Sequence, residues 1–155
     1  MKRQKVLFVC IHNSARSQMA EAFVRHFAAD RLEAHSAGLQ PGTLNPVVVE
    51  VMKEIGIDIS RNRTKSVNEF LDKKENFDYA VTVCDESHAE QCPVFPGLAE
   101  GSGRGGPGSA KRIHWGFEDP SSLAGSPEAN LQKIRIIRDQ IKNAVLNWLD
   151  GLKNQ

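Results

Sequence analysis

A thiol, a guanidinium and a row of small polar residues lie close together in Cys10-Ile11-His12-Asn13-Ser14-Ala15-Arg16-Ser17. Placed between a strand and a helix, such a stretch can curl so that its backbone N–H groups face inward on a tetrahedral anion. A helix leaving it adds unpaired N–H groups and a partial positive charge at the same point. Arg16 adds a planar fork of donors that fits two oxygens of an oxyanion better than a lysine does. Cys10, at the floor, would sit in an electropositive place that favours the thiolate and makes it a nucleophile. Cys-x5-Arg-Ser in this setting is a more specific signal than a lone Gly-rich loop. The plainer alternative is a buried strand-end cysteine beside a solvated helix-start arginine.

The flanking elements must supply that setting. Val6-Leu7-Phe8-Val9 is an uninterrupted apolar run and predicts a buried strand. Residues 17–30 place Ala20, Phe23, Val24 and Phe27 at helical spacing, with Ser17 as N-cap. Residues 33–37 alternate up to Gly38 and predict a strand with His35 on its polar face. Asn45-Pro46 predicts a helix start, Gly56 its end, and residues 57–59 a short extended piece. Residues 61–65 read as a solvated basic loop. Residues 67–73 predict a short helix with Val67, Phe70 and Leu71 inward. Residues 77–84 predict a second buried strand ending in Cys84. Residues 97–112 are rich in Gly, Ser and basic side chains and read as a mobile surface loop. Residues 111–116 return to the core, and Ser126-Pro127 opens a final helix of roughly 24 residues. Its inner stripe is Leu131, Ile134, Ile137, Ile141, Val145, Trp148 and Leu152. This order predicts an α/β three-layer sandwich with a mostly parallel four-stranded sheet, in one domain over residues 1–155. At the carboxyl ends of parallel strands residues gather in one crevice, a reason for Cys84 to approach Cys10.

With 155 residues and a formal net charge of +1, the chain has no broad field for nucleic acid or acidic membranes. No apolar segment is long enough to span a bilayer, and the basic start is followed by too short an apolar run for a signal peptide. The expectation is a cytoplasmic protein. Three cysteines there point to catalysis, redox chemistry or metal binding rather than a disulfide framework. A thiolate acting on an oxyanion also needs a proton donor for the departing oxygen. Asp119, before Pro120 and near Trp115 and Phe117, is the first candidate, because desolvation by the aromatics would favour its protonated form. Glu118 competes for the role, and a plain turn carboxylate is the alternative for either.

Together Cys10-x5-Arg16-Ser17, Ser17-Gln18-Met19-Ala20-Glu21-Ala22, Ser36-Ala37-Gly38, Leu44-Asn45-Pro46, Gly56-Ile57-Asp58-Ile59-Ser60, Val81-Thr82-Val83-Cys84, Cys92-Pro93 and residues 114–120 resemble the thioredoxin-coupled arsenate reductases. Those enzymes share the fold of low-molecular-weight protein tyrosine phosphatases. The likeness is nearly end to end, broken at residues 97–112. It implies an oxyanion cradle of Ile11, His12, Asn13, Ser14, Ala15 and Arg16. It implies that Cys10 attacks arsenate, that Asp119 protonates the leaving oxygen, and that Ser17 donates a hydrogen bond to the Cys10 sulfur. It implies a relay in which Cys84 attacks Cys10 and Cys92 attacks Cys84, with thioredoxin or another thiol as external reductant and no bound cofactor. Phosphate and sulfate would compete with arsenate, and the chain is expected to be a monomer.

Some positions depart from the family pattern. His12 stands where many relatives have Gly. Asn13, Glu21 and Ser36 match a potassium-type site, but its further acidic ligand falls near Lys65-Ser66, so the ammonium of Lys65 would supply the charge and no metal is expected. Two rival readings follow from the residues. A low-molecular-weight phosphatase needs only Cys10, Arg16 and Asp119, although no aromatic near Gln40 or Thr43 stands ready to stack on a phenyl ring. A zinc- or arsenite-binding non-enzyme would use Cys84, His88 and Cys92 at helical spacing, completed by Cys10 or His12.

Overall fold

The structure is a computed structural model that describes residues 3–10, 12–13, 15–40, 42–72, 77–83, 111–120 and 123–153. The elements run β1 (Gln4–Cys10), α1 (Arg16–Ala28), β2 (Leu32–Gly38), α2 (Pro46–Lys53), α3 (Val67–Asp72), β3 (Tyr79–Thr82), β4 (Lys111–His114) and α4 (Pro127–Lys153). The sheet has the order β2-β1-β3-β4, and every neighbouring pair is parallel. The expected mostly parallel sheet is therefore parallel throughout.

Both faces of the sheet are covered, which explains why β1 reads as a continuous apolar run. Side chains alternate across a strand. Val6, Phe8 and Cys10 enter the larger core with residues of α1, α2 and α4, while Leu7 and Val9 face Val67 and Phe70 of α3. Met19 and Phe23 fix α1 to the larger core with no exposed surface. Side chains of that size each contribute about 1.5–3 kcal/mol when fully buried. Trp148 of α4 completes an aromatic group with Phe8, Tyr79 and Trp115 at centroid distances of 5.3–6.3 Å.

Several local expectations are corrected. Ser17 does not cap α1, which begins one residue earlier; Ala15 holds the cap position without a side-chain hydrogen bond. The Ser17 hydroxyl is engaged in the cradle instead. His35 shares the more polar face of β2 with Glu33, as expected, but that face is partly covered rather than open. The parity of β2 turns it toward α3, between Phe70 at 5.5 Å and Phe77 at 5.9 Å, with Nε2 on the Glu33 carboxylate. Residues 61–65 are not simply solvated, because they dock on the cradle as described below. Residues 111 and 112, read as part of a surface loop, belong to β4, while residues 97–110 lie outside the described residues. The final helix is 27 residues long, and Ser126 Oγ accepts from the Ala129 N–H at its start. Of its inner stripe, Ile134, Ile137, Ile141 and Val145 are buried, while Leu131, Trp148 and Leu152 pack on the core partly buried. Among the described residues no helix is long and apolar enough to cross a membrane.

Candidate active site

Because the strands are parallel, their carboxyl ends lie along one edge. The ladder places Cys10 opposite Gly38, Val9 opposite Thr82 and Thr82 opposite His114. The chain turns from β1 to β2 on one side and returns with β3 on the other side of β1. Such a reversal opens a crevice beyond the end of the central strand. Cys10 is the last residue of β1 and stands at that crevice, 2% exposed.

Two groups meet the Cys10 sulfur. The Asn13 backbone N–H donates to Sγ at 3.0 Å, and Ser17 Oγ lies 3.0 Å from it. Asn13 takes a left-handed backbone, φ 54°, a conformation that Asn tolerates better than most residues. Its side chain is fully buried: Nδ2 donates to Ser17 Oγ at 2.7 Å, and Oδ1 accepts from the Lys65 backbone N–H at 2.9 Å. Arg16 opens α1 and is 3% exposed. Its Nη1 donates to the Phe117 carbonyl at 3.1 Å, and its Nη2 lies 3.8 Å from Asp119 Oδ2. Thus the guanidinium joins the cradle to the turn that follows β4.

The two adjacent acids separate clearly. Asp119 faces Arg16 and is largely shielded, whereas Glu118 is half exposed and pairs with Lys133 of α4 at 3.3 Å. Trp115, expected to desolvate Asp119, packs on Phe8 and Trp148. His12 is exposed, and its Nδ1 meets the Gln40 carbonyl at 2.9 Å, so that nitrogen carries the proton. The His12 carbonyl accepts from Gly42 N–H at 3.0 Å, which joins the two loops.

Residues 62–65 form the opposite wall. Gln18 Nε2 donates to the Arg63 carbonyl, and the Lys65 carbonyl accepts from Gly38 N–H. Glu21 is buried, accepting from Ser36 Oγ and pairing with Arg25 at 2.9 Å. Lys65 is half-buried, and burial pushes its ammonium below the ordinary lysine value; the facing Glu21 pulls it back up, while Arg63 and Arg25 push it further down. Of the predicted site residues, Cys10, Asn13, Arg16, Ser17 and Asp119 are brought together, with Ala15 buried at the helix start and His12 on the outer rim. Ile11, Ser14, Cys84 and Cys92 lie outside the described residues, as does His88. Sequence reasoning gave no role to Gln18 beyond its place in a motif, nor to residues 62–64, and for Lys65 it weighed the ammonium rather than the backbone N–H that meets Asn13. Their contacts are long-range, and no local pattern signals them.

The family of low-molecular-weight phosphotyrosine protein phosphatases matches residues 5–155. The chain belongs to that family. It is 37% identical over 141 residues to an arsenate reductase of Shouchella clausii, covering 91% of each chain. It superposes with a TM-score of 0.73 on an arsenate reductase in the phosphate-binding state, at 29% identity and covering 96% of this chain and 98% of that one. It is also similar to the Corynebacterium glutamicum thioredoxin-dependent arsenate reductase, with a TM-score of 0.65 and 27% identity, covering 97% of this chain and 62% of that one. The low-molecular-weight phosphatase fold expected from the motifs is thus the fold of this chain.

Proposed function

We propose that this member of the phosphatase family reduces arsenate to arsenite in the cytoplasm, with thioredoxin as the external reductant and no bound cofactor. The observation that carries the reading is the buried Cys10 sulfur, met by the Asn13 N–H and Ser17 Oγ. Donors converging on sulfur stabilise a thiolate. The relatives named arsenate reductase supply the oxyanion.

In this reading arsenate sits in the cradle of residues 11–16 against Arg16, where phosphate or sulfate would compete. Cys10 forms a sulfur–arsenic bond while one oxygen leaves as water with a proton from Asp119. Cys84 thiolate then attacks the Cys10 sulfur. The electron pair of the sulfur–arsenic bond passes to arsenic, arsenite departs, and a Cys10–Cys84 disulfide forms. Two thiolates have supplied the two electrons of the reduction. Cys92 attacks Cys84 and restores Cys10, leaving a Cys84–Cys92 disulfide for the thioredoxin dithiol to reduce. The chain acts as a monomer of one domain over 1–155.

Turnover with thioredoxin, thioredoxin reductase and NADPH tests this, comparing wild type with Cys84→Ser and Cys92→Ser. Repeated turnover by wild type, with both variants stopping after at most one round, is the expected result. No arsenate reduction, with equal phosphoester cleavage by all three proteins, would sink it. One observation favours that second, phosphatase reading. A cleft lined by Leu44, Val47, Pro120 and Leu123 flanks the Asp119 turn, and these apolar side chains would take the organic part of a phosphoester.

A further inference from the structure

Gln18 is a fully buried polar side chain that none of the steps above uses. Its Nε2 reaches three acceptors, the Asn13 carbonyl at 3.1 Å, Asn13 Oδ1 at 3.0 Å and the Arg63 carbonyl at 3.0 Å. Its Oε1 accepts from Asn62 Nδ2 at 3.0 Å. Carbonyls only accept, so the orientation of the Gln18 amide is fixed by its partners. The same reasoning runs inward. The Lys65 backbone N–H can only donate, so the Asn13 atom it meets is Oδ1. Asn13 Nδ2 is then turned to Ser17 Oγ and donates to it. With that oxygen already accepting, the Ser17 hydroxyl has its proton available for Cys10 Sγ. The bond to the Asn13 carbonyl also holds the left-handed turn that aims the Asn13 N–H at the same sulfur.

We propose that Gln18 is a positioning residue for Cys10: through Asn13 it directs both the Ser17 hydroxyl and the Asn13 N–H onto the sulfur, and it ties that orientation to residues 62–65. This rests on the reading of Cys10 as the attacking thiolate, and it deepens that reading.

The test is the rate of Cys10 alkylation by iodoacetamide, resolved by peptide mass spectrometry, on the full chain from pH 7 to pH 9.5. Arsenate is left out, so loss of arsenate turnover and loss of this positioning are read separately. Wild type is compared with Gln18→Met, Gln18→Glu, Ser17→Ala and the double variants. Gln18→Glu keeps the shape of the side chain should Gln18→Met fail to fold. Each Gln18 variant is expected to slow Cys10 alkylation at pH 7 by about tenfold, the size of one lost hydrogen bond to a charged group. The rates should converge on wild type at pH 9.5, where an ordinary thiol is already mostly thiolate. In the Ser17→Ala background the Gln18 effect should shrink, because the two residues act through one another. Equal slowing at every pH would mean altered access or packing. A fully additive effect in the double variants, or wild-type rates in both Gln18 variants, would likewise overturn the proposal.

Discussion

Arg16→Lys keeps the positive charge at the cradle and removes the geometry. In the wild type one nitrogen of the guanidinium holds the Phe117 carbonyl at 3.1 Å and a second faces Asp119 at 3.8 Å. A single ammonium cannot span these positions. It gives up one charge-assisted hydrogen bond to a bound oxyanion, worth about 1.5–3 kcal/mol. It also leaves the Phe117 carbonyl, in a buried setting, without its donor, at a further cost of about 1–3 kcal/mol that loosens the turn carrying Asp119. If about 3–4 kcal/mol of this is felt in the transition state, kcat/KM for arsenate falls by about 10²–10³-fold. The coupled thioredoxin assay reads that number, and protection of Cys10 from alkylation by phosphate reads anion binding alone. Both should fall, turnover more than protection, because the Asp119 turn matters to the chemical step. Turnover within about threefold of wild type would show that charge alone suffices and would refute the geometric argument.

Three further outcomes follow from the same contacts. Asp119→Asn should lower turnover by about 10²–10⁴-fold, the usual worth of a general acid, while Glu118→Gln, whose partner is Lys133, should stay within about threefold; the reverse ranking would reassign the acid. Lys65 has its ammonium pushed down by burial, so between that lowered value and the ordinary one the unfolded chain binds more protons, and folding stability gains as pH rises through the window. Urea unfolding of wild type and Lys65→Met from pH 7 to pH 10 should therefore move in favour of wild type as pH rises; a difference that is flat or narrows the other way would reject that electrostatic account. Asn45 Oδ1 accepts from the N–H groups of Val47 and Val48, so Asn45→Ala should cost about 1 kcal/mol and lower Tm by about 2–4 °C, with Asn45→Asp retaining most of the stability. Equal Tm values for Ala and wild type would show that this cap contributes nothing.

The fold was legible wherever a local pattern is tied to a buried face. The run at β1 is apolar at every position because helices cover both sides of the sheet, and Asn45-Pro46 marks a helix start by its own chemistry. The cradle was legible for the same reason, since its key residues are adjacent in sequence. What stayed hidden depends on contacts across the fold. Ser17 looks like an N-cap, yet its hydroxyl is claimed by a thiol seven residues back and by Asn13. Residues 61–65 look solvated because they are basic, but it is their backbone groups that dock, and side-chain composition says nothing about those. His35 falls on the polar face beside Glu33 as its alternation suggested, but the Phe70 and Phe77 rings that cover it come from distant segments. Glu118 and Asp119 are neighbours with the same charge, and only the path of the chain after β4 decides which one meets Arg16.

The geometry also bears on which partner moves in the proposed relay. Cys10 is held by pairing to Gly38, by the Leu39 N–H on its own carbonyl, and by the Asn13 N–H on its sulfur. Val9, before it, is bound on the other side by the Val83 N–H. Bringing Cys10 outward to meet a second thiol would break several of these bonds at once, each costing about 0.5–1.5 kcal/mol and more where a buried group is left unpaired. If the proposed relay operates, these bonds favour keeping Cys10 in place while the second thiol is brought to it. Residues 62–65, docked through Gln18 and the Lys65 N–H, brace Asn13 in the same way. The preset donors that would receive an oxyanion thus also argue against outward movement of Cys10 in that relay.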